Sequence, residues 1–153
     1  MSLSIFSAAL LPAISLLSTW EIDGSHTRAG FSVKHLMLSN VQGAFGKVTG
    51  TLVLEEDIAK SKVSVTIDAG SINTQEEKRD AHLKGADFFD VAKFPSITFK
   101  STKVEKASLG KLKVTGDFTL HGVTKSVVLD VEWTGVEIKD PWGKTRRAAS
   151  ATT

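Results

Sequence analysis

Residues 111–120, which read KLKVTGDFTL, determine the structural class predicted for this chain. Apolar or small residues occupy every even-numbered position, and lysine, threonine or aspartate occupies every odd-numbered one. A period of two places successive side chains on opposite faces of a β-strand, so this segment is predicted to be a strand with one apolar and one polar face. The same alternation occurs in residues 63–68, 97–100 and 127–133.

Glycine-containing sequences separate the alternating segments. The predicted turns are Gly43-Ala44-Phe45-Gly46, Gly50, Ser108-Leu109-Gly110 and His121-Gly122. Glycine and small polar residues supply the backbone angles that tight hairpins need. About seven or eight strands with short connections result, which is the pattern of an antiparallel barrel or sandwich. We therefore predict an all-β fold.

One stretch, residues 75–89, interrupts the alternation with a sequence rich in helix formers. Thr74 is followed three residues later by Glu77, which is the spacing of a capping box. This predicts a short helical insertion over residues 75–84 that ends at Gly85.

The composition indicates a single globular domain and excludes several kinds of site. The chain has 153 residues and no cysteine, so it has no disulfides, thiolate metal ligands or cysteine nucleophile. The formal net charge is only +2, from 19 basic and 17 acidic residues. A charge so small and dispersed does not predict a nucleic-acid partner.

Residues 1–19 differ from the rest and are treated as a separate segment. Leu3 to Leu17 carries no charge and is interrupted by Pro12. It is about as long as the apolar region of a signal peptide and shorter than the roughly 20 residues of a membrane-spanning helix. A signal peptide, a tag remnant and a short helix packed on the domain are the alternatives, and no integral membrane span is predicted. The domain itself is assigned to residues 20–153.

The four histidines do not predict a metal site. None of them has a second ligand at the spacing that a strand or helix requires, and we predict neither a metal nor a cofactor. His35 follows Phe31 and Val33 on one strand face, so its imidazole is expected to be partly buried.

The predicted helical turn is a weak candidate for catalysis. Asp80 and His82 would lie about 200° apart around a helix and could not form a dyad with each other. An enzyme that uses them with His121 is therefore only a third alternative. Arg79 is a better candidate for binding, because its guanidinium could hold an anion or tie a loop carboxylate in place.

Several longer motifs follow one another in order along the chain. They are Trp20-Glu21-Ile22-Asp23 with Ser25-His26, Phe31-Ser32-Val33-Lys34-His35-Leu36, Val41-Gln42-Gly43-Ala44-Phe45, Arg79-Asp80-Ala81-His82-Leu83, Asp87-Phe88-Phe89-Asp90, Lys93-Phe94-Pro95-Ser96-Ile97-Thr98-Phe99, Gly116-Asp117-Phe118-Thr119-Leu120-His121-Gly122-Val123-Thr124-Lys125 and Asp140-Pro141-Trp142-Gly143. Over residues 20–153 this series closely resembles the YceI-like, polyisoprenoid-binding family.

The resemblance implies a lipocalin-like antiparallel β-barrel of about eight strands with a helical insertion near residues 75–89. It also implies non-enzymatic binding of a long isoprenoid lipid, such as a polyprenyl phosphate or a quinone-type tail, in an apolar interior. We expect no charged residue among the inward-facing side chains, and Arg79 at the mouth. The candidate ligand-binding residues are Phe31, Val33, His35, Val65, Ile67, Arg79, Ile97, Phe99, Phe118, Leu120 and Val131.

The chain departs from the family pattern near its carboxyl end. Arg146-Arg147-Ala148-Ala149 stands where the family has an Arg-x-Gly-Phe pattern, and the family usually continues through further strands that close the barrel. We therefore expect one or more closing strands to be missing, which would leave strand edges unpaired. The alternative function is a strand-sharing oligomer, such as a homodimer, or an interaction module. Family members are typically periplasmic or secreted and sometimes cytoplasmic, so a periplasmic or secreted location is favoured.

Overall fold

The computed structural model describes residues 17–153. Most of the segment interpreted as a signal peptide, a tag remnant or a packed helix lies outside this range. The strands are β1 (Ser18–Glu21), β2 (Ala29–His35), β3 (Ser39–Phe45), β4 (Val48–Leu54), β5 (Lys62–Asp68), β6 (Ile72–Asn73), β7 (Ser96–Ser108), β8 (Lys111–Leu120), β9 (Val123–Trp133), β10 (Ile138–Lys139), β11 (Thr145–Arg146) and β12 (Ala149–Thr152). One helix, α1 (Glu77–Lys84), and two 3₁₀ turns, Ile58–Lys60 and Ala69–Ser71, complete the described elements.

Seven strands form one antiparallel sheet, the large sheet, in the order β1-β4-β5-β7-β8-β9-β12. β2, β3 and β6 form a second, smaller sheet, and β10 pairs with β11 in a hairpin. The prediction of an all-β, antiparallel fold with a short helical insertion is confirmed. The hairpins at residues 108–110 and 121–122 join β7 to β8 and β8 to β9, as predicted. Gly110 and Gly122 both have positive φ there, which favours glycine.

Two predicted turns are wrong, because the glycines in them lie inside strands. Gly43 belongs to β3 and Gly50 to β4. A Cβ atom at Gly43 would collide with the ring of Phe31, and one at Gly50 would collide with the carbonyl oxygen of Ser64. These glycines therefore allow close packing and do not turn the chain.

The helix is present, but the predicted capping box is wrong. The residue that caps α1 is Glu76, whose carboxylate accepts hydrogen bonds from the backbone N–H groups of Lys78 and Arg79. Thr74 is buried and makes a different set of contacts, which are described below. Gly85 ends the helix as predicted.

Apolar side chains on one face of the large sheet form two clusters. The covered cluster is built from both sheets and from the α1 segment, and its members are Phe45, Ala69, Ile72 and Ile97, with Ala29, Phe31, Ile67, Leu83, Phe89, Val91, Phe118 and Leu120 packed against them. The open cluster comprises Phe99, Val104 and Val114, with Ile58, Val63, Val65, Leu112, Phe118, Val127, Leu129 and Val131 packed against them. Within residues 17–153, Ile58 is the only member of the open cluster that comes from outside the large sheet.

The large sheet is strongly curled. Trp20 lies on β1 and Trp133 on β9, five strand spacings away in the sheet order. A flat sheet would separate them by about 24 Å. The guanidinium carbon of Arg147 is 4.7 Å from the centroid of the Trp20 ring and 5.4 Å from that of Trp133. Both rings therefore lie close to one side chain, which shows that the sheet is curled into a half-barrel.

Candidate functional site

The concave face of the half-barrel is the candidate site. Directly opposed residues of antiparallel strands project to the same face, and Val65, Phe99 and Phe118 are opposed in turn across β5, β7 and β8. Val114 is likewise opposed to Leu129, and Leu112 to Val131. Most of the predicted ligand-binding residues therefore share one surface, namely Val65, Ile67, Ile97, Phe99, Phe118, Leu120 and Val131.

Of the three candidates on β2, only Phe31 packs against this surface. Phe31 packs in the covered cluster, where its ring centroid lies 5.7 Å from that of Phe45. Val33 is 56% exposed, and His35 is exposed at the end of the strand. The expectation of a partly buried His35 imidazole is wrong, because within residues 17–153 β2 is an edge strand of the smaller sheet and pairs with β3 alone.

Arg79 makes hydrogen bonds to another residue of the protein, Thr74. Its Nε donates to the hydroxyl of Thr74 at 2.7 Å, and its Nη2 donates to the Thr74 carbonyl at 2.8 Å. The Thr74 hydroxyl donates in turn to a carboxylate oxygen of Asp80 at 2.6 Å. This hydrogen bond, together with one from the Thr74 backbone N–H, lowers the pKa of Asp80 against the opposing effect of desolvation. Arg79 and Asp80 thus join α1 to the loop before it.

The inward-facing set includes two lysines, contrary to expectation. Lys106 on β7 is directly opposed to Leu112. Lys125 on β9 is directly opposed to Phe118, so it lies on the apolar face of the sheet. Its side chain is exposed. The strand alternation that assigns Val127, Leu129 and Val131 to this face also assigns Lys125 to it, and the sequence reading stopped short of this residue.

Arg147 is a third cation at this face, and sequence reasoning did not identify it as a site residue. The Trp20 and Trp133 rings that flank it belong to the concave face, since Trp20 is opposed to Leu52 and Trp133 continues the alternation of Val131. Nη2 of Arg147 donates to a carboxylate oxygen of Glu137. Nε is buried and has no hydrogen-bond partner among the described residues.

A separate ion cluster joins the β10–β11 hairpin to the loop after β1. Arg146 donates from Nε to Asp140 at 2.9 Å, and from Nη1 to Asp23. The pKa of Asp23 is lowered below its usual range, chiefly by hydrogen bonds from the side chains of Ser25 and His26. For Asp140, desolvation raises the pKa, but hydrogen bonds from the Lys144 backbone and from Arg146 outweigh it and leave the pKa lowered. The sequence signal for this cluster was the pair of motifs that contain Asp23 and Asp140.

The histidines and acids of the enzyme alternative have separate surroundings. The His82 ring packs edge-on against Phe88, with 4.9 Å between the ring centroids. The ring centroids of His121 and Phe94 are 4.3 Å apart. Within residues 17–153, no three His, Asp or Glu side chains are grouped so that they could hold a metal ion. In the same part of the chain, no helix has the length and apolar character that crossing a bilayer requires.

Two surface pockets flank the large sheet. One of about 430 Å³ lies where β8, β9 and β12 meet and includes Leu112 and Val131 of the open cluster. The other, of about 360 Å³, lies beside the Ile58–Lys60 turn. Charged side chains contribute to the lining of both pockets, so neither is a purely apolar cavity.

A curled antiparallel sheet with an apolar concave face defines a lipocalin-like β-barrel protein. The chain belongs to the YceI-like family, since the YceI-like domain matches residues 20–153. It is 40% identical over 161 residues to a UPF0312 protein of Vibrio parahaemolyticus, a match that covers 100% of this chain and 85% of the relative. It is 43% identical over 148 residues to a UPF0312 protein of Photorhabdus laumondii, covering 94% and 76% of the two chains.

Two solved structures share the fold. The Campylobacter jejuni YCEI protein is 41% identical, with a TM-score of 0.62 over 81% of this chain and 72% of that one. Burkholderia cenocepacia BcnA is 26% identical, with a TM-score of 0.64 over 69% of this chain and 66% of that one. The resemblance inferred from the motifs is thereby confirmed.

Proposed function

We propose that this protein binds one long-chain isoprenoid lipid, a polyprenyl phosphate or a quinone-type lipid, and carries it without chemical change. The observation that supports the proposal is the open cluster, a continuous apolar surface that no second layer covers within residues 17–153. Phe99, Val104 and Val114 at its centre are buried, but the residues packed around them, such as Leu129 and Val131, are only partly buried. Their exposed apolar area gains free energy when an apolar ligand covers it, at about 25 cal/mol per Å².

The shape of the concave face favours an extended ligand. The β8 residues of the open cluster run from Leu112 to Phe118, a length of about 20 Å at the usual rise per residue. Burial of each methylene group on such a strip is worth about 0.8 kcal/mol. A long branched hydrocarbon can therefore bind tightly with few polar contacts, whereas a compact polar substrate cannot.

Membership of the YceI-like family supports a binding protein in preference to an enzyme. The proposal makes the open cluster the tail site and treats the covered cluster as folding core. Of the candidate residues, Val65, Phe99, Phe118 and Val131 lie in the open cluster and are assigned to the tail. Arg79 is assigned a structural role, because two of its nitrogens already donate to Thr74.

Native mass spectrometry of protein purified without detergent tests the proposal. We expect a species heavier than the polypeptide by the mass of one prenyl lipid, which collisional activation removes. Lipid extracted from the same sample should give the same mass. A bare polypeptide mass, together with no uptake of added prenyl alcohol, would contradict the proposal.

A strand-sharing homodimer is the second candidate function, and one observation favours it. β12 pairs with β9 only from Asp130 to Trp133, so within residues 17–153 the outer edge of β9 is unpaired from Val123 to Leu129. Unpaired edges are templates for pairing with another chain. Light scattering after size exclusion, at several concentrations, should show a dimer if this edge is shared and a monomer if it is not.

The periplasmic or secreted location stays a prediction that the apolar segment at residues 1–19 motivates. Cell fractionation with an antibody to the domain tests it. Recovery with the periplasmic or culture-medium fraction would support the prediction, and recovery with the cytoplasm would contradict it.

A further inference from the structure

We propose that Arg147 binds the anionic head group of the lipid, a phosphate ester, at the end of the concave face between Trp20 and Trp133. The inference rests on the proposed function, because it assumes that a lipid tail covers the open cluster. It adds the chemical class of the head group that the protein binds and the residue that binds it.

The first observation is the place of the guanidinium. Trp20 and Trp133 both project from the concave face, and the carbon of the Arg147 guanidinium lies 4.7 Å and 5.4 Å from their ring centroids. Aromatic faces hold a cation in a fixed position by their quadrupole. The apolar surface that would hold the tail therefore ends at a positioned positive charge.

The second observation is an unused hydrogen-bond donor. Nε and Nη2 form one edge of a guanidinium, and an oxyanion can accept two parallel hydrogen bonds from such an edge. Of these two nitrogens of Arg147, Nη2 donates a hydrogen bond to a single oxygen of Glu137. Nε is buried and has no hydrogen-bond partner within residues 17–153. A phosphate that replaced Glu137 would satisfy both nitrogens at once.

The third observation concerns access and competition. The Arg147 side chain is 25% exposed and that of Glu137 is 47% exposed, so Glu137 can move into solvent and leave the guanidinium to an incoming anion. Two other arginines already have partners: Arg146 is paired with Asp23 and Asp140, and Arg79 with Thr74. Lys106 and Lys125 also lie on this face, and Lys125 provides a matched control.

The test compares farnesol with farnesyl phosphate, which share one tail and differ only in the phosphate. Binding is followed by tryptophan fluorescence or calorimetry. We expect the unmodified chain to prefer farnesyl phosphate by about ten-fold or more, the value of one additional charge-assisted contact. Arg147→Met should abolish this preference while it keeps the affinity for farnesol, and Lys125→Met should leave the preference for farnesyl phosphate unchanged. Glu137→Gln should strengthen binding of farnesyl phosphate alone, because it removes the competing carboxylate.

The outcomes separate this inference from the proposed function. If the unmodified chain binds neither ligand, the proposed function itself fails. If it binds both ligands equally, or if Lys125→Met rather than Arg147→Met removes the preference, the tail site stands and the role of Arg147 is wrong. Inorganic phosphate alone should compete only weakly, and competition equal to that of farnesyl phosphate would show a site for free phosphate. If Arg147→Met does not fold, Arg147→Lys keeps the charge but loses the two-donor edge and should reduce the preference.

Discussion

The covered cluster and the open cluster lie on the same face of the same sheet, yet they differ in what packs over them. In the covered cluster, Phe45 and Ile72 from the smaller sheet pack against Ile97 of the large sheet, and the α1 segment adds a further layer. In the open cluster, the large sheet supplies every member within residues 17–153 except Ile58. Under the proposed function, an apolar strand face is folding core where another layer covers it and a ligand surface where the described residues provide no such layer.

A charge placed in each cluster gives the largest contrast. Ile97 is 3% exposed, so Ile97→Asp buries an unpaired carboxylate and should cost more than about 4 kcal/mol, enough to prevent folding. Val131→Asp lies in the half-buried open cluster and should leave a folded protein. Circular dichroism and urea titration measure both variants. Equal loss of stability in the two would show that the open cluster is also core.

Truncation of a large side chain should show the same difference with a smaller effect. Phe45→Ala removes a buried ring that packs against Phe31 and Phe89, and it should destabilise the fold by about 3–5 kcal/mol. Leu129→Ala in the open cluster should cost less than about 2 kcal/mol, because part of that side chain is already hydrated. The midpoints of urea unfolding give both values. A larger cost at Leu129 than at Phe45 would reverse the assignment.

The layer over the covered cluster depends on a buried hydroxyl. Thr74→Val removes the group that accepts from Arg79 and donates to Asp80. Loss of a buried partner should cost about 1–3 kcal/mol and should increase hydrogen exchange in α1. Asn73, exposed on the neighbouring position, offers Asn73→Ala as a control. Unchanged protection of α1 in the Thr74 variant would show that the helix is held by its apolar contacts alone.

Acid should weaken the ion cluster that Arg146 forms with Asp23 and Asp140. The pKa of Asp23 in the folded chain is lowered from its ordinary value of 3.8, so its contribution to stability is present above that pH and is lost as the pH falls below it. Asp23→Asn should make unfolding less dependent on pH in this acid range. Urea midpoints between about pH 5 and pH 2 measure the effect, with the exposed Glu56→Gln as the control for loss of one negative charge. An unchanged acid profile in Asp23→Asn would contradict this account.

The large sheet could be predicted from sequence because alternation is a local property. The alternation in residues 111–120 assigns the two faces of β8, and the predicted turns at 108–110 and 121–122 join this strand to β7 and β9. The glycines inside β3 and β4 were misread, since the close approach that requires them involves Phe31 and Ser64, which are distant in sequence. Local signals cannot distinguish a glycine that turns the chain from one that accommodates a neighbour.

The candidate site was only partly predictable for a similar reason. Val65, Phe99 and Phe118 were identified from alternation, and the register brings them together. Arg147 was missed because its neighbours Trp20 and Trp133 meet only when the sheet curls. Arg79 was assigned to the mouth because its short-range partner, the Thr74 hydroxyl, was instead given to a capping box.

Binding of a prenyl alcohol to two variants of one strand tests most directly whether the open cluster is a ligand surface. Val131 lies on the concave face of β9, and Val128 is 45% exposed on the opposite face of the same strand. Both Val131→Asp and Val128→Asp should remain folded. We predict that Val131→Asp weakens binding by about ten-fold or more, because the tail would have to cover a carboxylate, and that Val128→Asp binds like the unmodified chain. Equal binding by both variants would contradict the assignment of the concave face.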